Sequence, residues 1–217
     1  MKSINVFAVI ILFAAFAGTA SCVKKSSTIP NEQKVDSSTV DTLKHDSEKK
    51  KTKVSLWKLN EQSSKIEFTI KNFGKDVHGT LSGLKAEIRF DKDELDGSSF
   101  EASVPVNSIN TGITKRDKDL MHEKYFNQEK FPEITFHSDS IVKSDNGFTA
   151  IGTLTIKGKA HRKTIPFTFE EKDQSGIFSS QFTLNRHDYD IGGEGPIMGD
   201  DINVSLKIIT QKQASDK

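Results

Sequence analysis

One thiol, six imidazoles and two arginines are the side chains of this chain best placed to do chemistry, and their spacing excludes most of it. The histidines are His45, His78, His122, His137, His161 and His187. No pair stands as HxH, HxxxH or HExxH. His122-Glu123 lacks a second histidine one helical turn on, so the zinc-peptidase pattern is absent. All but His45 fall in strands or turns in the outward phase and read as surface histidines. A metal site would have to be assembled from distant segments, and none is assigned. No G-x-S-x-G occurs, so no nucleophile and no catalytic residue is assigned. The loop Gly192-Gly193-Glu194-Gly195-Pro196-Ile197-Met198-Gly199 lacks GK[ST] and precedes no helix; it reads as a long hairpin loop, not a phosphate loop.

Arg116 opens a charged segment, and Arg186 follows Phe182 and Leu184 in one phase at a strand end. A guanidinium at the rim of an apolar cavity pairs with phosphate or carboxylate. The competing reading is a structural salt bridge with Asp117, Asp188 or Asp190.

The thiol is Cys22, the only cysteine. It closes a leader built of Lys2, an apolar run from Val6 to Ala17, and Gly18-Thr19-Ala20-Ser21. That is the layout of a secretory signal over residues 1–21, and the run is too short to cross a bilayer comfortably. Small residues ending in Cys resemble a bacterial lipobox, in which the thiol is acylated and the chain cut before it. Thr19 stands where Leu is usual. An ordinary signal peptide that happens to hold a cysteine is the competing reading. The expectation is an exported chain anchored by acylated Cys22 to a membrane of the bacterial cell envelope, in the periplasm or at the outer membrane, without disulfides.

Residues 22–53 carry no aromatic side chain and few large apolar ones. Such a segment cannot bury enough surface to offset ordering entropy. It reads as a disordered tether, with a reach of roughly 30 Å for about 30 flexible residues. Loss of Lys2 with the leader leaves the mature chain with as many basic as acidic residues, 30 of the latter. That balance argues against a nucleic-acid partner.

From Trp57 on, the pattern has period two. Ile66, Phe68 and Ile70 alternate with polar residues, then Ala86, Ile88 and Phe90, then Phe100, Ala102, Val104 and Val106. The series continues through Ile134 and Phe136; Phe148, Ala150, Gly152, Leu154 and Ile156; Ile165, Phe167 and Phe169; Phe178, Ser180, Phe182 and Leu184; and Ile202, Val204, Leu206 and Ile208. Strict alternation means strands with one apolar and one wet face. Turn signals at Asp96-Gly97, Asn146-Gly147, Lys157-Gly158-Lys159 and Gln174-Ser175-Gly176 separate them. Thr114 to Phe126 breaks the rhythm and predicts one short helix, with Thr114 and Asp117 as a capping box. About eight or nine antiparallel strands and one helix predict an all-β barrel or sandwich over residues 54–217. The chain holds 15 Phe against 2 Tyr and 1 Trp, which suggests an apolar interior. On the residues alone that interior reads first as a packed core and second as a channel.

The stretch Arg116-Asp117 through Leu120, Tyr125-Phe126 and Phe131-Pro132-Glu133-Ile134-Thr135-Phe136-His137-Ser138 resembles the signature of the YceI-like family. So do Gly152-Thr153-Leu154-Thr155-Ile156-Lys157-Gly158, the opening Trp57 with Ser64-Lys65-Ile66-Glu67-Phe68, and Asn185-Arg186 with Tyr189-Asp190-Ile191-Gly192. The likeness covers residues 56–211 in order; its glycine-rich loop is looser than the family pattern. The resemblance implies a lipocalin-like antiparallel barrel of about eight strands with an elongated apolar pore. It implies a polyisoprenoid, isoprenoid quinone or similar long amphiphile as ligand, held for storage, shielding or transport, and it implies no enzyme activity and no cofactor. The pore-lining candidates are then Phe68, Ile88, Phe90, Phe136, Phe148, Leu154, Phe167, Phe169, Phe182 and Leu184. Ala102 and Ala150 mark free space, Ile197 and Met198 flank the mouth, and Arg116 and Arg186 are headgroup candidates. A filled barrel acting as a stress or interaction protein is the alternative, and an enzyme acting on such a lipid a third. Oligomeric state is not fixed by these residues.

Overall fold

The structure is a computed structural model and describes residues 54–214. The leader, Cys22, the tether and His45 lie outside the described residues. The elements run β1 (Leu56–Leu59), β2 (Lys65–Asn72), β3 (Lys75–Leu81), β4 (Lys85–Arg89), β5 (Ser99–Pro105), α1 (Thr114–Leu120), β6 (Glu133–Ser144), β7 (Gly147–Ile156), β8 (Lys159–Lys172), β9 (Ser175–Asn185) and β10 (Met198–Lys212). All pairings between strands are antiparallel, and the order β1-β4-β5-β6-β7-β8-β9-β10 closes on itself through β1–β10. Of the barrel or sandwich that the alternation predicts, the barrel is present, with the eight strands and lipocalin-like closure that the family resemblance implies.

The long strand β10 makes closure work. One edge pairs with β9 along most of its length. The other edge is shared: Met198 to Lys207 pair with β2, and Thr210 to Lys212 with β1. The β2–β3 hairpin thus extends the wall at one end of the barrel. A single bridge, Thr80↔Asn110, fastens β3 to the segment before α1.

Strand β3 was not legible in the alternation. Its inward positions are Val77, Gly79 and Leu81, and Gly79 interrupts the apolar phase. A Cβ there would collide with the Phe68 ring, which lies across Gly79 from the paired strand. Gly176 also departs from its sequence reading. The turn falls at Asp173 and Gln174, both with positive φ (50° and 67°), and Gly176 lies inside β9. A Cβ at Gly176 would come within 2.8 Å of Phe169, Thr210 and Trp57, so packing requires glycine there.

The helix is shorter than predicted. It ends at Leu120, and residues to Phe126 continue as turns. Ile113 precedes it as the cap residue, without a side-chain bond. The capping box with Thr114 does not form, because the Asp117 carboxylate accepts from the Thr111 backbone N–H (2.9 Å) and the Thr111 hydroxyl instead.

Two apolar clusters fill the ends of the barrel. One gathers Trp57, Ile88, Phe90, Ile141, Ala150, Phe167, Phe178 and Ile208. The other, beneath the turn Arg186–Tyr189, gathers Leu154, Ile156, Leu184, Tyr189 and Ile191. In the second cluster Tyr189 is fully buried, and among the described residues its hydroxyl has no hydrogen-bond partner. Burial, with Asp188 adding a smaller push, raises its phenol to about 12. An orphaned buried hydroxyl costs on the order of 1–3 kcal/mol.

Tyr189→Phe is therefore expected to match or exceed wild-type stability at pH 8, by about 1 kcal/mol, in denaturant unfolding. Because the folded phenol titrates above its unfolded value of 10.0, stability is intact below that pH and is lost as pH climbs toward 12. The gap in favour of Tyr189→Phe should widen over that interval. A variant clearly weaker than wild type at pH 8 would mean that the hydroxyl has a partner.

Candidate functional site

Inward side chains from most of the strands enclose a cavity of about 300 Å³, with a surface that is almost entirely carbon. This lies at the lower end of the size of small-molecule sites, about 300–1,000 Å³. The channel reading of the interior phase is the one observed. Seven of the ten lining candidates border it: Phe68, Ile88, Phe136, Leu154, Phe167, Phe182 and Leu184. Ala102 and Ala150 border it too, as expected of residues marking free space.

Phe90, Phe148 and Phe169 do not line it. They have the inward phase but lie beyond the cavity's lower end, in an aromatic plug. Phe90 is wholly buried, with ring centroids 5.0 Å from both Phe148 and Phe169. The Trp57 ring meets Phe169 edge-on at 5.1 Å, and its indole N–H donates to the Phe90 carbonyl (2.9 Å). Phase tells which side of the sheet a residue faces and not how far along the barrel it sits.

At the other end, α1 and the turns after it supply Arg116, Leu120, Tyr125 and Phe126, and β10 supplies Met198. Its neighbour Ile197 is half exposed and does not touch the cavity. Sequence reasoning missed Val77 and Leu81, whose strand it did not find, and Leu120, Tyr125 and Phe126, which it read only as part of the short helix. Ile66, Ile70, Phe100 and Phe178 carried the signal, being in the same alternation as the chosen residues.

Two charged residues border the cavity among the described residues, Glu101 and Arg116. The Glu101 carboxylate turns outward, 3.4 Å from His137. Arg116 is held at the mouth: Nε donates to the Thr111 hydroxyl (2.7 Å) and Nη2 to the Thr111 carbonyl (2.9 Å). The same hydroxyl donates to Asp117. Arg116 and Asp117 thus act through Thr111 rather than as a direct pair. Among the described residues Nη1 finds no protein acceptor.

Arg186 has a different fate. It is buried, with 1% of its side chain exposed, and every donor is committed. Nε donates to the Gly199 carbonyl (3.0 Å), Nη1 to those of Ile191 (2.9 Å) and Gly193 (2.6 Å), and Nη2 to that of Met198 (3.3 Å) and to Asp200 (3.1 Å). It is the hub of the glycine-rich loop and has no donor left for a headgroup. Its ionic partner is Asp200. Asp188 pairs with Lys163 and Asp190 with Lys159 instead. Asp200 also takes a bond from His187 (2.7 Å), which, ahead of Arg186, holds its carboxyl below the usual carboxylate range.

The remaining histidines are dispersed. His78 shares a bond with Thr69 (2.9 Å), and His161 sits edge-on to Tyr189 at 5.1 Å, half-buried rather than on the surface. Among the described residues no group of three His, Cys, Asp or Glu side chains gathers to hold a metal ion.

A closed antiparallel barrel, plugged by aromatic rings at one end and bordered at the other by a fixed guanidinium, with a carbon-walled cavity between, defines a lipocalin-like β-barrel. The chain belongs to the YceI-like family: the model of the YceI-like domain matches residues 57–210. A UPF0312 protein of Yersinia enterocolitica, YE1254, is 32% identical over 112 residues, which are 51% of this chain and 56% of that relative. The match thus spans little more than half the relative's length. Among solved structures, BcnA of Burkholderia cenocepacia superposes with a TM-score of 0.67 at 22% identity, covering 70% of this chain and 98% of that one. A polyisoprenoid binding domain from Saccharophagus degradans, implicated in plant cell wall breakdown, gives 0.57 at 12% identity, over 74% and 100%. At these identities the likeness is one of fold.

The two arginines should separate on substitution. Arg186→Gln strips a buried hub and is expected to cost about 3–5 kcal/mol, read as a large fall in melting temperature. Arg116→Gln is expected to leave the melting temperature nearly unchanged. It should weaken binding of an anionic amphiphile more than of a neutral one of equal chain length. Equal losses for both would assign Arg116 to the scaffold.

Proposed function

We propose that this protein is an exported lipoprotein whose barrel takes up the apolar chain of an amphiphilic lipid of the polyisoprenoid or isoprenoid-quinone kind, for storage, shielding or transport. The observation that carries the reading is the cavity: its walls are almost entirely carbon, and the one cation that borders it among the described residues sits at the mouth. A chain inside gains roughly 0.8 kcal/mol for each methylene buried, set against association costs of about 4–15 kcal/mol. A chain of several isoprene units is what this surface suits, with a polar end left beside Arg116. The polyisoprenoid binding described for the Saccharophagus degradans domain points the same way. The lining favours binding over turnover, since it presents carbon where an enzyme would present paired acid–base groups. Attachment to the envelope membrane rests on Cys22 and its leader.

Mass spectrometry of lipid extracted from the purified full chain is expected to find a polyisoprenoid-type molecule, and Ala150→Trp to abolish it at little cost in melting temperature. In a filled core the same change would overpack by about 1–3 kcal/mol. A marked loss of stability, with no lipid on the wild-type chain, would assign the barrel to the filled class. Cys22→Ala is expected to abolish both incorporation of labelled fatty acid and partitioning of the chain into the detergent phase. A wild-type chain that partitions into the aqueous phase overturns the anchor.

A further inference from the structure

Three rings close the lower end of the cavity. Phe100, Phe167 and Phe178 all border it, and their centroids form a triangle with sides of 5.2, 5.7 and 6.1 Å. Aromatic rings at about 4.5–7 Å are in contact, so no carbon chain threads between them. Phe90 lies directly behind and touches all three, at 6.0, 5.6 and 5.5 Å. Behind it again stand Phe148, Phe169 and Trp57. The floor is backed by a second ring layer and is not a loose side chain that a ligand would push aside.

The distance from floor to mouth follows from the strands. On β9 the bordering residues run from Phe178 to Leu184, and on β10 they run from Ile208 back to Ile202, with Met198 beyond a register shift at the mouth itself. At about 3.4 Å per residue and a barrel tilt of about 35–45°, either run rises roughly 15 Å along the barrel axis. An extended carbon chain advances about 1.2 Å per bond, so about 15 Å accommodates roughly twelve bonds, or about three isoprene units of about four main-chain bonds each.

We propose that Phe100, Phe167 and Phe178 gauge the ligand: the cavity holds about three isoprene units, and any further length leaves through the mouth beneath α1. This rests on the apolar-chain reading above and narrows it. The ligand is either a short amphiphile, whose polar end falls at Arg116, or a longer one gripped by its terminal units alone.

The test uses the full chain and a series of all-trans prenyl alcohols of two, three, four and five isoprene units, titrated by calorimetry. In the wild type, affinity is expected to rise about tenfold or more from two units to three, and less than about twofold for each unit beyond. Phe100→Ala removes one floor ring and should move the break to four units. Ala102→Phe adds a ring one inward position above Phe100 on β5, and should move the break to two. Phe182→Ala, in the wall, should change affinity without moving the break. If Phe100→Ala does not fold, Ala102→Phe decides alone, since it fills space. A break at the same length in wild type, Phe100→Ala and Ala102→Phe, or a rise that continues through five units in the wild type, overturns the gauge while leaving chain binding intact. Failure of every alcohol to bind the wild type overturns the gauge and the apolar-chain reading together.

Discussion

Closure of the barrel hangs on a short seam. Three register pairs, Trp57↔Lys212 to Leu59↔Thr210, join the first strand to the last and leave the ring without a free edge at that end. Exposed edges invite pairing with other chains, and closure removes them. Trp57 serves the seam and the interior at once. Its backbone is in the ladder with β4 and β10, its ring lies against Phe169 and Phe178, and its indole N–H satisfies the Phe90 carbonyl. Gly176 is the cost of that arrangement, since any side chain there would displace the indole. The aromatic plug and the closed ring are therefore one construction. Loosening the seam would free the rings that seal the cavity.

The alternation was a faithful guide to which way side chains point, because a half-buried strand has period two whatever its neighbours do. It was a poor guide to depth. Phe90 and Phe68 have the same phase and residue type, yet one lies in the plug and the other borders the cavity. Depth depends on strand register around the ring, and register is a property of pairs of strands. Strand β3 was hidden for a different reason. With Phe68 supplying the bulk across the pair, Gly79 leaves a hole in the apolar pattern at the place where the packing is tight. The short helix failed at its ends, because Asp117 was used in tertiary closure of Thr111 and not in local capping.

The two arginines show how far side-chain type alone reaches. Arg186 follows an apolar run and Arg116 opens a charged segment, yet both have nearby aspartates and both suited a rim position. Arg186 became buried because a loop of four glycines from Gly192 to Gly199, three of them (Gly192, Gly193 and Gly195) with positive φ, turns its carbonyls inward. Those carbonyls need donors, and one guanidinium supplies five in a fixed fork. Arg116 meets a single threonine that takes two of its donors and leaves the third nitrogen at the mouth. The number of unsatisfied carbonyls around each site decided between scaffold and surface, and that number is set by loop conformation.

An apolar void is expensive to maintain. The lining of a space of about 300 Å³ forfeits the contacts that its side chains would make in a packed core. A core held together by side-chain packing would collapse into such a space. This one is held open by the ladder, in which hydrogen-bonded strands fix the wall at a radius that Ala86, Ala102 and Ala150 cannot fill. The aromatic plug pins one end of that wall and the Arg186 hub pins the loop near the other. Stability is thus concentrated at the two ends, and the middle is left with unspent contact surface. An apolar chain entering there repays part of the void penalty without asking the wall to move, so occupation and stability of the barrel are coupled by the same carbon surface.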